Sequence, residues 1–402
     1  MYCTVSLFPE LLAVPLLLQL LLAFSSFLGG IKFYRYIKRR KDFKGSSFEG
    51  PVSVFVPCKG AEEGLRENLE KVLNCGRDET EFLFVVESGS DEAVPVIEKL
   101  IEKDKSAQLI FAGNATDSGQ KVHNLIQAVK AVGEESEAFV FVDSDARPAP
   151  GWINTLLQPL VDEGIGCSTG YRWFLQEAGG LATLLRSAWN ASIASSLGDE
   201  TSSNFCWGGA MAVRRKVFEE LKIAEKWKGT LSDDFTLTNV LGATDYRVHF
   251  EPKNLTASVG NCDFAELLEF TTRQMKITRI YSPKHFAVSM IGSSIFAISV
   301  ACMVAALYFS TGIVFWSFLT LCLSIWMLGS MKAALRVYAV SNVLRDNTHA
   351  IGGQYFWHVL LWPISTLLFL LVDFLALLSR RIVWRGIAYE LVSDKRIRIL
   401  DE

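Results

Sequence analysis

Apolar positions along the chain fall into two regimes: nearly unbroken runs toward both ends, and short runs separated by polar and helical patterns in between. The first long run, residues 8–30, is almost uncharged and long enough to cross a hydrocarbon layer. Lys32, Arg35, Lys38, Arg39, Arg40, Lys41 and Lys44 follow it at once. A cleaved signal peptide carries its positive charge ahead of the apolar stretch, and residues 1–10 have none, so residues 1–31 read as an uncleaved transmembrane anchor with the N-terminus outside. Residues 286–331 read as a membrane hairpin turned at Ser310, Thr311 and Gly312, and residues 356–378 as a third run containing Pro363 after a polar stretch, 332–355. A full third crossing would leave the basic tail, 380–402, outside, against the positive-inside rule. The membrane region 286–379 is therefore expected to end in a partial or interfacial helix bent at Pro363, with the tail cytosolic.

The block between, residues 50–281, alternates β-rich runs (52–56, 82–86, 109–111, 139–142) with helical patterns (65–73, 93–101, 122–132). Runs that are continuously apolar predict strands buried on both faces, hence an α/β domain with a mainly parallel sheet. Ligands of such sheets sit at the carboxyl ends of the strands. Composition adds two exclusions. With 40 Lys+Arg against 43 Asp+Glu the net charge is −3, so no basic field points to nucleic acid as a partner. The 8 cysteines form no C-x-x-C pair, which fits neither a zinc site nor a disulfide scaffold.

The strand ends carry the candidate chemistry. The first strand runs into Pro57, Cys58, Lys59 and Gly60, the second into a turn ending at Asp91, and the fourth into Asp143-Ser144-Asp145. Two carboxylates one residue apart suit a hard divalent cation that still has room for diphosphate and water, although the same pattern also makes polar turns. Asp233 and Asp234 precede a helical pattern and read either as caps or as a general base. Arg273, Lys276 and Arg279, at helical spacing before the hairpin, read as headgroup anchors or phosphate contacts. Gly208-Gly209 allows close backbone approach to a ligand or an ordinary turn, and Lys121 and Asn124 follow Gly119 at a helix start, a usable phosphate position. His123 beside them reads as a solvated helix residue.

In this order the motifs resemble the GT-A glycosyltransferases of the large inverting family, and within it the ceramide glucosyltransferases and their bacterial relatives. The likeness runs from residue 40 to 393 through Pro57-x-Lys59-Gly60, Asp91, Gly119-x-Lys121-x-x-Asn124, Asp143-Ser144-Asp145, Gly208-Gly209, Asp233-Asp234, and finally Trp384-Arg385-Gly386 with Tyr389. The resemblance implies a nucleotide-sugar site in which Asp91 holds the uracil or ribose, with Pro57, Lys59, Lys121 and Asn124 alongside. Asp143 and Asp145 would bind Mn2+ or Mg2+ on the diphosphate, and Asp234 would be the base. The family's (Q/R)-x-x-R-W motif is here Arg273-x-x-Lys276-Ile277, with Lys for Arg and Ile for Trp. The implied activity is inverting transfer of a hexose from a UDP-sugar to a membrane lipid hydroxyl. A processive polysaccharide synthase would need a transmembrane channel, for which the spans are few. A non-catalytic nucleotide-sugar binder is the third reading.

Overall fold

The computed structural model describes residues 4–62, 64–177 and 179–400. The first three residues of the expected anchor and the last two of the expected tail lie outside the described residues. Helix α1 (Thr4–Arg40) spans the described part of the expected anchor and runs straight on through the basic flank. That flank docks on the α/β block: Tyr36 Oη donates to the Phe250 carbonyl, Arg40 pairs with buried Glu251, and Arg39 lies 2.6 Å from Asp199.

The block then follows the expected alternation: β1 (Val52–Pro57), α2 (Leu65–Leu73), β2 (Thr80–Val86), α3 (Val94–Ile101), β3 (Ala107–Phe111), α4 (Gln120–Ala131) and β4 (Ala138–Val142). It continues through α5 (Trp152–Leu157), β5 (Ile165–Leu175), α6 (Leu181–Ala194), β6 (Ala210–Arg214), α7 (Arg215–Glu220), α8 (Ile223–Trp227), α9 (Asp233–Leu241), β7 (Arg247–Val259) and α10 (Phe264–Tyr281). The 7-stranded sheet has the order β3-β2-β1-β4-β6-β5-β7, parallel throughout except that β6 runs antiparallel to both of its neighbours. Successive strand residues feed opposite faces. Val54, Val56, Phe82, Phe84 and Val140 pack on one side, while Phe55, Leu83, Val85, Phe139 and Phe141 pack on the other. Both faces are dry, which is why the strands read as unbroken apolar runs. Strand order reverses between β1 and β4, opening a crevice at their carboxyl ends.

Three further helices, α11 (Pro283–Phe309), α12 (Gly312–Ser341) and α13 (Thr348–Leu378), bring to four the described helices long and apolar enough to cross a membrane. The hairpin turn falls where expected. The polar stretch 332–355 is mostly helix, and its first two charges point into protein: Lys332 Nζ donates to Ser26 Oγ of α1 at 2.7 Å and Arg336 to Ser192 Oγ of α6 at 3.1 Å. Helix α13 is continuous for 31 residues, so Pro363 does not break it. The carbonyl that a helical proline deprives of its partner, that of Val359, accepts from Ser330 Oγ of α12 at 3.5 Å.

Helix α13 touches the α/β block along its whole length. Ile351 joins the core under the sheet, and His358 stacks on Trp173 and lies 3.1 Å from Ser187 Oγ. Phe369 stacks on Trp189, and the last-turn carbonyls of Ala376 and Leu377 accept from Arg279. The stretch expected as a basic tail is a folded three-stranded antiparallel sheet of β8 (Arg381–Trp384), β9 (Ile387–Ser393) and β10 (Arg396–Leu400). Its Ile382, Tyr389, Leu391 and Ile397 pack on Leu231, Ile277 and Tyr281 of the block.

Candidate active site

A cleft of about 640 Å³ opens at the carboxyl ends of β1 and β4, bounded on its far side by α6, α10 and the β8–β9 hairpin. Of the residues expected there, Pro57, Lys59, Lys121, Asn124, Asp143, Asp145, Asp233, Asp234 and Arg273 line it.

Its centre is a charge cluster. Asp143 leaves β4 with one oxygen 2.8 Å from Lys121 Nζ and the other 3.4 Å from Arg172, whose guanidinium also lies 3.8 Å from Asp145. Burial works to raise the Asp143 carboxyl, but Lys121 and Arg172 outweigh it and hold the group below the usual carboxylate range. Asp145 is pushed up by burial and by the charges of Asp143 and Glu62, which Arg172 offsets only in part. Lys121 is held up, against its burial, by Asp143, Asp233 and Asp234.

Ser232 caps α9 by accepting from the Phe235 amide, which places the two aspartates in the first turn. Asp233 is 2% exposed, with Oδ1 3.4 Å from Lys121 and Oδ2 without a partner. Burial, together with Asp234 and Asp143 and against the pull of Lys121, pushes it up to about 6. Asp234 is better reached from the cleft; its Oδ2 accepts from the Gly208 amide at 3.1 Å and its Oδ1 from Phe235 N at 2.7 Å and Ser232 Oγ.

Gly208 and Gly209 do not line the cleft; they let the backbone pass close behind these carboxylates. A Cβ on Gly208 would sit 2.3 Å from Asp233 Oδ2, and one on Gly209 2.6 Å from Asp143 Oδ2.

Three expected residues stand elsewhere. Asp91 accepts from the amides of Gly60 and Ala93 at 2.9 Å each, shaping the turns after β1 and β2 without lining the cleft. Lys276 Nζ donates to the Arg381 carbonyl at 2.8 Å, and Arg279 to the carbonyls of Ala376 and Leu377 at 2.8 and 3.2 Å. A helix turns each residue by about 100°, so of the three basic residues only Arg273 faces the cleft while the other two secure the end of α13 and the start of β8.

Arg172, Trp207 and Glu62 line the cleft without having been singled out from the sequence. Arg172 had a signal: it is the lone charge in the apolar strand β5 and lies 4.9 Å from the centre of the Trp207 ring.

Among the described residues no group of three or more His, Cys, Asp or Glu is placed to enclose a metal ion. Asp143 and Asp145 nevertheless fit one, since the Arg172 guanidinium already bridges them as a cation would. The protein supplies two oxygen-bearing side chains, and the other ligands would come from diphosphate and water.

Comparison with known proteins places the chain. A family described as glycosyl transferase family 21 matches residues 18–397. Ceramide glucosyltransferase 1 of Caenorhabditis elegans is 34% identical over 82 residues, 20% of this chain and 18% of that protein. Ceramide glucosyltransferase 3 of the same organism is 30% identical over 103 residues, 25% of this chain and 22% of that protein. The matched stretches thus span about a fifth of the length of these curated relatives. Among solved structures, a mannosyltransferase from Pyrobaculum calidifontis in complex with GDP-Man and Mn2+ covers 83% of this chain and 99% of its own, at 17% identity and a TM-score of 0.49.

Proposed function

Since the chain belongs to glycosyl transferase family 21, we propose that it transfers a hexose from a UDP-sugar to the hydroxyl of a membrane lipid, inverting the anomeric centre, with Asp234 as general base. The observation that carries this reading is the meeting of Asp143, Asp145 and Asp234 in one cleft whose opposite wall is α6 and α10, the helices that lie on α13. Donor chemistry and an acceptor rising from the apolar side would face each other there. The ceramide glucosyltransferases named above favour a lipid acceptor.

Charge supports a divalent cation, Mn2+ or Mg2+. The described lining holds seven carboxylates and six lysine or arginine side chains, so an anionic diphosphate is not welcome without added positive charge. Asp143 and Asp145 would hold the ion, which when bound would neutralise the diphosphate as the glycosyl bond breaks. Pro57, Lys59, Lys121 and Asn124 would hold the nucleotide-sugar. Asp234 Oδ2, fixed by the Gly208 amide, accepts the proton of the attacking hydroxyl. The hydroxyl oxygen forms its bond to the anomeric carbon from the face opposite the phosphate, and UDP departs with the electron pair of the broken carbon–oxygen bond.

We assign residues 1–31 to a transmembrane anchor, 50–281 to a cytosolic catalytic domain and the α11–α12 hairpin to two further spans. Helix α13 then lies along the membrane face of the domain, and the β8–β10 sheet stays on the cytosolic side. The length-wise packing of α13 on the block supports this arrangement over a third crossing.

The test is to incubate the membrane-embedded protein with radiolabelled UDP-sugars, Mn2+ and total lipid extract. Label entering one lipid species, lost when the ion is chelated, is the expected result. A long polymer would replace this reading with a processive synthase, and nucleotide binding without any transfer would replace it with a binding protein.

A further inference from the structure

The two basic residues that leave the cleft, Lys276 and Arg279, grip the backbone at residues 376–381, just where the C-terminal sheet begins. Ile277, between them, packs with Ile382, Tyr389, Leu391 and Ile397 of that sheet. What this helix face secures is the β8–β9 hairpin, and its tip is the part that enters the cleft: Trp384, Arg385 and Gly386 all line it.

The connection is two residues long, with φ of 53° at Arg385 and 76° at Gly386. This is the left-handed pair that a tight hairpin needs, and the first position is one an arginine rarely takes. Tyr389 ties the next strand to the donor side, its Oη accepting from the Gln120 amide at the start of α4 at 3.1 Å.

Arg385 donates to Glu62, in the loop after β1, across the mouth of the cleft. Their side chains are 41% and 37% exposed, so the pair is one that a ligand can displace. Most of the other cations lining the cleft are held by partners deeper in the protein. Lys59 pairs with Glu87 at 2.6 Å, Lys121 and Arg172 bridge the cleft's aspartates, and Arg186 donates to the Gly260 carbonyl, while Arg273, 3.4 Å from exposed Glu269, is the second guanidinium turned to the cleft. Asp143 and Asp145 also act on Arg385 electrostatically, so the guanidinium belongs to the field in which the diphosphate would sit.

We infer that the Trp384–Arg385–Gly386 turn is a lid for the nucleotide donor, with Arg385 binding the diphosphate and Glu62 holding that guanidinium while the nucleotide is absent. The planar fork of an arginine matches phosphate oxygens in a way the displaced Lys276 would not. This rests on the nucleotide-sugar reading of the cleft.

The full-length protein in detergent, at fixed Mn2+ and ionic strength, is titrated calorimetrically with UDP as wild type, Arg385→Gln and Glu62→Gln. Both substitutions break the same ion pair, yet a lid makes them act in opposite directions. Arg385→Gln should weaken UDP about 10- to 100-fold, the range of a lost charged hydrogen bond. Glu62→Gln should tighten it about threefold or more, since the competitor for the guanidinium is gone. If the pair is only a structural clasp, both variants weaken UDP together or leave it unchanged, and either result overturns the inference. Wild-type protein that binds no UDP removes the nucleotide-sugar reading and this inference together, whereas binding equal in wild type and Arg385→Gln removes the lid alone.

Discussion

Asp233→Asn should make the protein more stable at pH 8 and, by a smaller margin, at pH 5. Asp233 is 2% exposed, one of its oxygens has no partner, and its carboxyl is raised from 3.8 to about 6 by burial and by its acidic neighbours, against Lys121. An acid with a raised folded-state pKa holds its proton more tightly folded than unfolded. Its contribution is thus most favourable below the unfolded value of 3.8 and is lost as pH rises through about 6. About two units correspond to about 3 kcal/mol against the native state at pH 8. Asparagine removes that cost but also one anion from Lys121, 3.4 Å away, which keeps Asp143 at 2.8 Å. The pull of Lys121 is already contained in that net figure, so the gain is up to about 3 kcal/mol, or about 6–12 °C in apparent melting temperature for a domain of this size. Tryptophan fluorescence of the detergent-solubilised variant and wild type, scanned at one rate at both pH values, reads it directly. A variant that melts below wild type at pH 8 would refute the reasoning, because Asp233 would then be needed as a counter-ion.

Three further outcomes are expected. Asp143→Ala or Asp145→Ala should abolish nearly all transfer, as should EDTA, and undiminished turnover with the chelator present would end the metal assignment. Asp234→Asn should lower kcat by about two to four orders of magnitude with UDP-sugar affinity nearly intact, and Asp233→Asn should be milder; steady-state kinetics showing the reverse would move the base to Asp233. Ile277→Trp should lower the melting temperature, because Ile277 is 6% exposed and packed against the C-terminal sheet, where added volume costs about 1–3 kcal/mol; an unchanged melting curve would contradict that packing.

What the sequence disclosed follows the physics of each segment. Strands dry on both faces announce themselves as continuous apolar runs, so β1, β2 and β4 and the acidic residues at the end of β4 could be read off directly. The antiparallel β6 is equally apolar and carries no local mark of direction. The C-terminal sheet was hidden differently. Tyr389 and Leu391, and Ile397 and Ile399, alternate with polar residues at strand period, but Arg380, Arg381, Arg396 and Arg398 make the stretch read as a basic tail. Hydropathy likewise cannot distinguish a helix that crosses the bilayer from one that lies on a protein surface, which is why the sequence leaves both readings of α13 open.

Those partners connect the membrane to the chemistry. Arg279 holds the last carbonyls of α13 and Lys276 the first carbonyl of β8, so the rise of the hairpin is set where α13 ends. The same helix α10 carries Arg273 into the cleft, 6.0 Å from the Trp384 ring. A shift of α13 along its axis would therefore move the hairpin tip relative to the aspartates, and α11, which follows α10 directly and donates from Ser289 to Asp373 of α13, is coupled to the same end. On this geometry a conservative Lys276→Arg change should act through the position of the tip. With Arg381 as its partner, the longer guanidinium must displace a carbonyl held at 2.8 Å, so UDP affinity should change along with the melting temperature. A direct phosphate contact by Lys276 would instead predict that arginine preserves affinity at an unchanged melting temperature, and that result would return Lys276 to the cleft.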